Sequence, residues 1–275
     1  MICAWKELLA ILPAGIRSEV DALGKDDLQE LRLRINAPPE LVLSSGSRWL
    51  EGKTTQDQLN FVVNAATRYS PWTAASAEQG YLTAPGGHRI GLCGEVLLKH
   101  GAVSGVRSIK SLCIRVARDF PGIGKSAAAL NTSILILGPP GTGKTTLLRD
   151  LIRQLAERSH VAVVDERCEL FPEGFEQGRC QDTLLGCPKG KGIEMLLRTM
   201  GPDYIAVDEI TAEEDSLALV RAACCGTGLL ATAHAGSLED FLRRQAYRPL
   251  REANVFPVVL ILDRDKQFTL ERIHP

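Results

Sequence analysis

The chain has 275 residues, of which 45% are hydrophobic and 24% are charged, and its formal net charge is −1 at pH 7. This composition indicates a globular protein with one large or two modest domains, and it excludes a disordered or low-complexity chain. The first 130 residues carry 15 basic and 12 acidic side chains, and the remainder carry 17 and 21. Neither half therefore has the positive excess typical of a nucleic-acid-binding domain.

Two further features bear on the compartment. The eight cysteines form no C-x-x-C pair, and most lie within apolar stretches such as GLCGEV and SLCIRV, which predicts buried thiols in a reducing compartment. The opening stretch MICAWKELLAILPAGI is apolar but is interrupted by Lys6 and Glu7. The run to Leu12 is too short for a signal or spanning helix, so we expect an amphipathic helix that ends at Pro13 and no membrane span.

Residues 1–118 have the pattern of a small α+β domain. LRLRI alternates apolar residues with arginine, PELVLSSGSRWL reads as two strands around a turn, and GYLTAPGGHRIGLCGEVLL reads as a hairpin. A helical stretch spans 57–69 between them, and His88 is interpreted as a turn residue. Several arginines alternate toward one face, and a solvated sheet face explains them as well as a binding role does: Arg32, Arg34, Arg89, Arg107, Arg115 and Arg118.

The segment 119–131 contains Pro121, Gly122 and Gly124 and lacks strand or helix periodicity, which predicts a linker. From 132 to 275, apolar strands without polar alternation are separated by helical segments: ILIL, VAVVD, YIAVD, LLATA and VVLIL. This is typical of a parallel sheet covered by helices on both faces. Thr211 with Glu214 fits a helix capping box, and Gly226 suits the end of that helix.

A phosphate-binding loop is predicted by GPPGTGKTT, which comprises Gly138, Pro139, Pro140, Gly141, Thr142, Gly143, Lys144, Thr145 and Thr146. It follows an apolar strand and precedes a helix, which is the context that the motif requires. Backbone N–H groups would surround the β-phosphate, Lys144 would neutralise the β- and γ-oxygens, and Thr145 would bind Mg²⁺. The sequence therefore predicts an α/β P-loop NTPase of the RecA-like or AAA type, preceded by the smaller α+β domain, with ATP and Mg²⁺ as ligands.

Two stretches, VAVVDERCEL and YIAVDEI, both end an apolar strand with Asp-Glu. Ligands of an open parallel sheet lie at the carboxyl ends of its strands. In P-loop NTPases with a catalytic Glu, the strand after the P-loop helix lies toward the edge, and the next strand lies near the P-loop strand. We therefore predict that Asp208 supports Mg²⁺ through water and that Glu209 activates the attacking water.

The motif order resembles that of the type II and type IV secretion ATPases. Asp165, Glu166 and Glu169 match their acidic box, Arg198, Pro202 and Asp203 precede the Walker B segment, and RAACCGTGLLATAHAGS matches the His box with Arg221, Thr232 and His234. LRLRI, GYLTAPGGHRIGLCGE, GVRSIKSLCIRVAR and VVDERCEL are more similar still to the stage III sporulation AA family of endospore-forming bacteria. Asp208 stands where many secretion ATPases carry Gly, and Thr211 replaces an Arg that often follows.

The resemblance implies a homo-oligomeric ring, expected to be hexameric, that docks through integral membrane proteins of a sporulation complex on the cytoplasmic side. It would power or gate transport between mother cell and forespore. It also implies that His234 senses the γ-phosphate, that Glu166 and Glu169 line the nucleotide cleft facing Arg115, and that Arg115, ahead of Arg107 and Arg89, is the arginine that reaches the phosphates. Two alternatives remain open: a nucleic-acid-dependent or chromosome-maintenance ATPase, which the near-neutral charge disfavours, and a nucleotide-gated structural ring with little turnover.

Overall fold

The computed structural model describes residues 1–68, 80–99, 101–172 and 174–273, except for the side chain of Ala102. It divides into two compact units. The first comprises Met1–Asp119 with Pro172–Phe175, and the second comprises Phe120–Phe171 with Glu176–Pro275. Within the described residues, no helix combines the length and the apolar character needed to cross a bilayer.

The first unit is α+β. Its helices are α1 (Trp5–Ala10), α2 (Ala14–Leu23) and α3 (Gln56–Ala66), and its strands are β1 (Leu28–Arg34), β2 (Glu40–Leu43), β3 (Gly46–Trp49), β4 (Tyr81–Thr83), β5 (Arg89–Lys99) and β6 (Ala102–Arg115). Over the described residues these strands form one antiparallel sheet in the order β3-β2-β1-β6-β5-β4. Residue 69, where the predicted helix was to end, lies outside the described residues.

Alternation along β1 separates a core face from a charged face. Leu31 and Leu33 are fully buried, whereas Arg32 and Arg34 pair with Glu30 and Glu40, each at 2.7 Å. Successive side chains of a strand point to opposite faces, so one face packs the core while the other carries ion pairs.

His88 lies in the turn between β4 and β5, as predicted, and its side chain is fully buried. Its Nε2 lies 2.8 Å from the carbonyl oxygen of Ala4, and its Nδ1 accepts a hydrogen bond from the N–H of Ala117 at 3.1 Å. Burial lowers the pKa of His88 below its usual value, so the neutral ring joins three separate stretches of the first unit.

The second unit is α/β. Its helices are α4 (Lys125–Ala128), α5 (Lys144–Leu155), α6 (Lys189–Thr199), α7 (Glu213–Cys224), α8 (Leu238–Arg243) and α9 (Arg248–Glu252). Its strands are β7 (Ile134–Leu137), β8 (Val161–Asp165), β9 (Gln181–Leu185), β10 (Tyr204–Ile210), β11 (Gly228–Ala233), β12 (Val258–Leu262) and β13 (Phe268–Arg272).

These strands make a sheet in the order β13-β12-β7-β11-β10-β8-β9. The pairings are parallel except that of β12 with β13. Along β7, Leu135 and Leu137 belong to the apolar core on one face, and Ile134 and Ile136 to the core on the other. Because both faces are covered, the strand needs apolar residues at every position, and the predicted α/β fold class is confirmed.

Two local predictions need correction. The N-terminus of α7 is capped by Asp215 rather than by a Thr211–Glu214 box: Asp215 Oδ2 accepts from Thr211 N–H at 3.1 Å and Ala212 N–H at 3.2 Å. None of the cysteines is fully buried, and Cys93, Cys224 and Cys225 are exposed thiols. The predicted strand placement is confirmed, because VAVVD (β8) lies further toward the edge than YIAVD (β10), which is nearer the P-loop strand β7. The edge strand β9 pairs with β8 and was not predicted, since QDTLL lacks a continuous apolar run.

The predicted linker lies in the second unit, and the P-loop helix binds it. Asp150 of α5 is fully buried, and its Oδ2 accepts hydrogen bonds from the N–H groups of Gly122 and Gly124 at 2.9 and 2.7 Å. Its Oδ1 accepts from Arg153 at 2.8 Å. A Cβ at Gly124 would lie 2.5 Å from the backbone nitrogen of Leu151, so only glycine permits this close approach to the helix.

Candidate active site

The P-loop joins β7 to α5 through a tight turn. Gly143 adopts a left-handed backbone at φ 96°, and a Cβ at Gly138 would lie 2.7 Å from Thr142 Oγ1. The carbonyl oxygen of Pro139 accepts hydrogen bonds from Thr142 Oγ1 and Lys144 Nζ, both at 2.9 Å. The glycines therefore let the loop turn back over the first residue of the helix, where free N–H groups favour an anion.

Lys144 lies within the fold rather than in solvent. Only 6% of the residue is exposed, and its Nζ lies 3.1 Å from His234 Nδ1. Burial lowers the pKa of Lys144 from its usual value, while the charges of Asp208 and Glu209 oppose that shift. A desolvated ammonium interacts more strongly with a phosphate than a hydrated one does.

A chain of hydroxyl and carboxylate groups connects two strands, β10 and β11, with α5. Thr145 Oγ1 donates to Asp208 Oδ2 at 2.8 Å, and Thr232 Oγ1 donates to Asp208 Oδ1 at 2.5 Å. The same Thr232 hydroxyl accepts the backbone N–H of Glu209 at 2.7 Å. Asp208 ends the regular part of β10, Thr232 lies on the neighbouring β11, and Thr145 is in the first turn of α5, so the fold brings these distant residues together.

This oxygen-rich group fits Mg²⁺. Hydroxyl and carboxylate oxygens are the donors that hard cations prefer, and Mg²⁺ in nucleotide sites usually keeps one or two protein ligands and takes the rest from phosphate and water. The part of the chain that is described contains no cluster of three or more His, Cys, Asp or Glu side chains that could hold a metal.

Glu209 has an unusual backbone. Its φ is 55°, in the left-handed region that costs a non-glycine residue about 1–2 kcal/mol. The pairing of β10 with β11 shifts register between Val207 and Ile210, so Glu209 occupies a bulge. Its Oε1 lies 3.3 Å from His234 Nε2. A bulge with a non-glycine residue in this region is a common device for aiming a functional side chain.

The acidic-box residues have three different environments. Asp165 is buried, and its carboxylate accepts the N–H groups of Glu169, Leu170 and Phe171 at 2.9, 2.9 and 3.1 Å. Glu166 pairs with the buried Lys189 at the start of α6. The backbone carbonyl of Glu169 accepts from Arg149 of α5 at 2.8 Å. Asp165 therefore shapes this turn, and the expectation that Glu166 and Glu169 face Arg115 stays a prediction.

The candidate arginines of the first unit make local contacts there. Arg115 Nε donates to Glu30 Oε1 at 2.9 Å, with 65% of the Arg115 side chain exposed. Arg107 pairs with Glu95 at 3.1 Å, and the Arg89 guanidinium lies 4.1 Å from the centre of the Tyr81 ring. Their roles at the phosphates remain predictions.

A cavity of ≈ 380 Å³ lies beside the P-loop. Gly141, Gly143 and Thr146 form one side of it. The other side is contributed by residues that the sequence did not single out: Phe120, Ile123, Leu262, Lys266, Gln267 and Phe268. The apolar aromatic wall and the few polar groups are typical of a small-molecule site. No motif marks these residues, because they come from the linker and from the β12–β13 hairpin.

Comparison with known proteins shows which family the chain belongs to. Residues 4–272 match the family described as sporulation stage III, protein AA. The chain belongs to that family. It is 35% identical to stage III sporulation protein AA of Bacillus subtilis (strain 168) over 282 aligned residues, which cover 94% of this chain and 91% of the relative. The predicted family resemblance is confirmed.

Solved structures extend the likeness at the level of the fold. The Legionella pneumophila ATPase DotB is similar with a TM-score of 0.59 and 16% identity, over 95% of this chain and 80% of that one. The pilus retraction motor PilT, solved with bound ADP, is similar with a TM-score of 0.61 and 17% sequence identity, over 90% of this chain and 76% of PilT. The fold of this sporulation stage III AA family member is therefore that of a secretion-ATPase-like P-loop NTPase.

Proposed function

We propose that the chain is a Mg²⁺-dependent ATP hydrolase of the secretion-ATPase type. Its subunits would form a ring, expected to be hexameric, that powers or gates mother cell-to-forespore transport during sporulation. The observation that carries the proposal is the hydroxyl–carboxylate chain from Thr145 through Asp208 and Thr232 to the backbone of Glu209. It supports the proposal because Asp208, the proposed support of Mg²⁺, and Glu209, the proposed base, lie together with Thr145 of the P-loop.

In the proposed reaction, the backbone N–H groups of residues 141–145 and the side chain of Lys144 hold the β- and γ-phosphates. Thr145 would hold Mg²⁺ directly and Asp208 through water, and the bound ion would supply positive charge that offsets the charge of the phosphates. The adenine base would lie against Phe120, Ile123 and Phe268 in the cavity beside the loop.

Glu209 then orients a water and accepts its proton. The water oxygen bonds to the γ-phosphorus while the bond from that phosphorus to the bridging oxygen breaks, and the electron pair leaves with ADP. His234 contacts both Lys144 and Glu209, at 3.1 and 3.3 Å, so loss of the γ-phosphate would be registered at the end of β11.

The proposed partners rest on the likeness to the family and on the fold. The similarity to the Bacillus subtilis sporulation protein and the fold of DotB and PilT support a ring that works on a membrane assembly. We propose contact with integral membrane proteins of a sporulation complex from the cytoplasmic side.

ATPase rate and particle size, measured together with and without Mg²⁺-ATP, test the proposal. Lys144→Ala is expected to lose nucleotide binding, and Glu209→Gln is expected to bind nucleotide but to turn over at least 100-fold more slowly. A monomer at every concentration would contradict the ring. Stimulation of the ATPase rate by single-stranded DNA, but not by a fragment of a membrane partner, would favour a nucleic-acid motor. If Lys144→Ala and Glu209→Gln had the same phenotype and the parent showed no measurable ATPase activity, a structural ring would be favoured.

A further inference from the structure

The residue between Glu166 and Cys168 has a role that no motif assigns. Arg167 lies in the acidic-box loop, residues 165–171, and its Nη1 pairs with Glu209 Oε2, 42 residues away. The other carboxylate oxygen of Glu209 faces His234 Nε2 at 3.3 Å. Both oxygens of the proposed base are therefore engaged by nitrogen groups, which compete with a water for the carboxylate and restrict the orientation in which it can accept a proton.

The acidic-box loop that carries Arg167 is held firmly. Asp165 accepts three backbone N–H groups of the loop at 2.9–3.1 Å. Arg149 of the P-loop helix donates to the carbonyl oxygens of Glu169 and Leu170. Glu166, directly before Arg167, pairs with Lys189, whose side chain is only 6% exposed. The backbone at residue 167 is thus fixed from both sides.

The backbone of Glu209 is fixed as well. Its N–H donates to Thr232 Oγ1 at 2.7 Å, and regular pairing with β11 resumes at Ile210. With both backbones held, the contact can open only by rotation of the two side chains. Those side chains are 46% and 26% exposed, so the ion pair is solvent-screened and weak enough to open without unfolding anything.

We propose that Arg167 is a positioning residue that acts as a latch: it holds Glu209 away from the attacking water and so limits the turnover rate. The inference rests on the proposed ATPase and concerns regulation of that same site. Because Arg167 pairs with Glu209, the proposed base, the latch acts on the hydrolysis step rather than on nucleotide affinity.

The test compares kcat and KM for Mg²⁺-ATP in the parent, Arg167→Gln and Arg167→Lys. An exposed ion pair contributes at most about 1 kcal/mol, which is about five-fold in rate. Arg167→Gln is therefore expected to raise kcat about two- to five-fold with KM unchanged, and Arg167→Lys, which keeps the charge, is expected to return the rate toward the parent. A lowered kcat would mean that Arg167 assists hydrolysis, and an unchanged kcat would mean that the pair does not restrain Glu209; either result overturns the latch.

Two further variants make the outcome specific. Arg248→Gln removes a similarly exposed ion pair with Glu252 on α9, at 2.7 Å, and is expected to leave kcat unchanged. The double variant Arg167→Gln/Glu209→Gln is expected to be as slow as Glu209→Gln alone, because the gain passes through Glu209. If Glu209→Gln slows hydrolysis but Arg167→Gln leaves kcat unchanged, only the latch is overturned. If neither the parent nor Arg167→Gln hydrolyses ATP, the proposed function is overturned as well.

Discussion

Thr232 serves two carboxylate residues with one hydroxyl. It donates to Asp208 at 2.5 Å and accepts the N–H of Glu209 at 2.7 Å. We expect Thr232→Val, which keeps the shape, to cost about 1–3 kcal/mol of folding stability because a partly buried N–H loses its acceptor. The rate should fall with it, since Glu209 is no longer held in its bulge. Thr232→Ser keeps the hydroxyl and should retain both the stability and the rate, as measured by urea unfolding and steady-state ATPase assays. If Thr232→Val and Thr232→Ser lost stability and rate equally, the methyl group rather than the hydroxyl would be responsible.

Asp165 gives the protein a pH dependence of known sign. Burial raises the pKa of Asp165 from 3.8 to about 6, against the effect of its three N–H donors. The folded protein then holds this proton where the unfolded chain has released it, so this carboxyl's contribution to stability falls as pH rises from about 4 to 6. The two-unit difference corresponds to about 3 kcal/mol.

Asp165→Asn isolates that contribution, because the amide cannot titrate. The difference in unfolding free energy between parent and variant is expected to shift in favour of the variant as pH rises across this range, in denaturant titrations at pH 4.5 and 6.5. A constant difference would contradict the raised pKa. At either pH the variant should lose acceptor capacity, because its NH₂ group would face a backbone N–H.

At the scale of elements, α5 does more than begin at the P-loop. Through Asp150 it holds the segment 120–124, and through Arg149 it holds the acidic-box loop. We expect Asp150→Ala to destabilise the protein by about 3–5 kcal/mol, because Arg153, itself 7% exposed, loses its buried partner. Hydrogen exchange at the amides of Gly122 and Gly124 should accelerate.

Gln154→Ala on the same helix is the matched control. Its amide is only a 3.4 Å neighbour of Asp150 Oδ1, and its loss should leave both glycine amides protected. If Asp150→Ala also leaves them protected, the carboxylate does not hold the segment.

Most strands and the P-loop could be predicted from the sequence because their signals are local. Strand β7 is apolar at every position since both faces are covered, and the glycines of the P-loop are required by its turn. Contacts such as Arg167 with Glu209, Glu166 with Lys189 and Asp150 with Gly122 join residues 42, 23 and 28 positions apart. Their partners are set by strand order, so no spacing rule could identify them. The three backbone N–H groups bound by the Asp165 carboxylate could not be predicted for the same reason.

At the scale of the whole molecule, the two units have separate apolar cores. Leu31 and Ile114 belong to the core of the first unit, and the residues of β7 belong to the two core clusters of the second unit. The P-loop, Asp208 and the adjacent cavity all belong to the second unit. Nucleotide at about 100 times its Kd contributes about 2.7 kcal/mol to the unit that binds it. We therefore expect calorimetry to show Mg²⁺-ADP raising one unfolding transition by about 5–10 °C.

Lys144→Ala should abolish that shift without moving the other transition. A nucleotide-induced rise of equal size in every part of the melting curve would indicate that the units unfold together, and limited proteolysis with and without nucleotide would then show uniform protection.

The shared hydroxyl of Thr232 has a consequence for how this family can vary. A change at position 208 alters the acceptor on which the residue at 232 depends, and a change at 232 alters the geometry at 209. The two positions are therefore expected to covary across relatives: where position 208 is glycine, as in many secretion ATPases, a hydroxyl at 232 loses one of its two partners. Inheritance of the pair, rather than of either residue alone, would mark the relatives that share this chemistry.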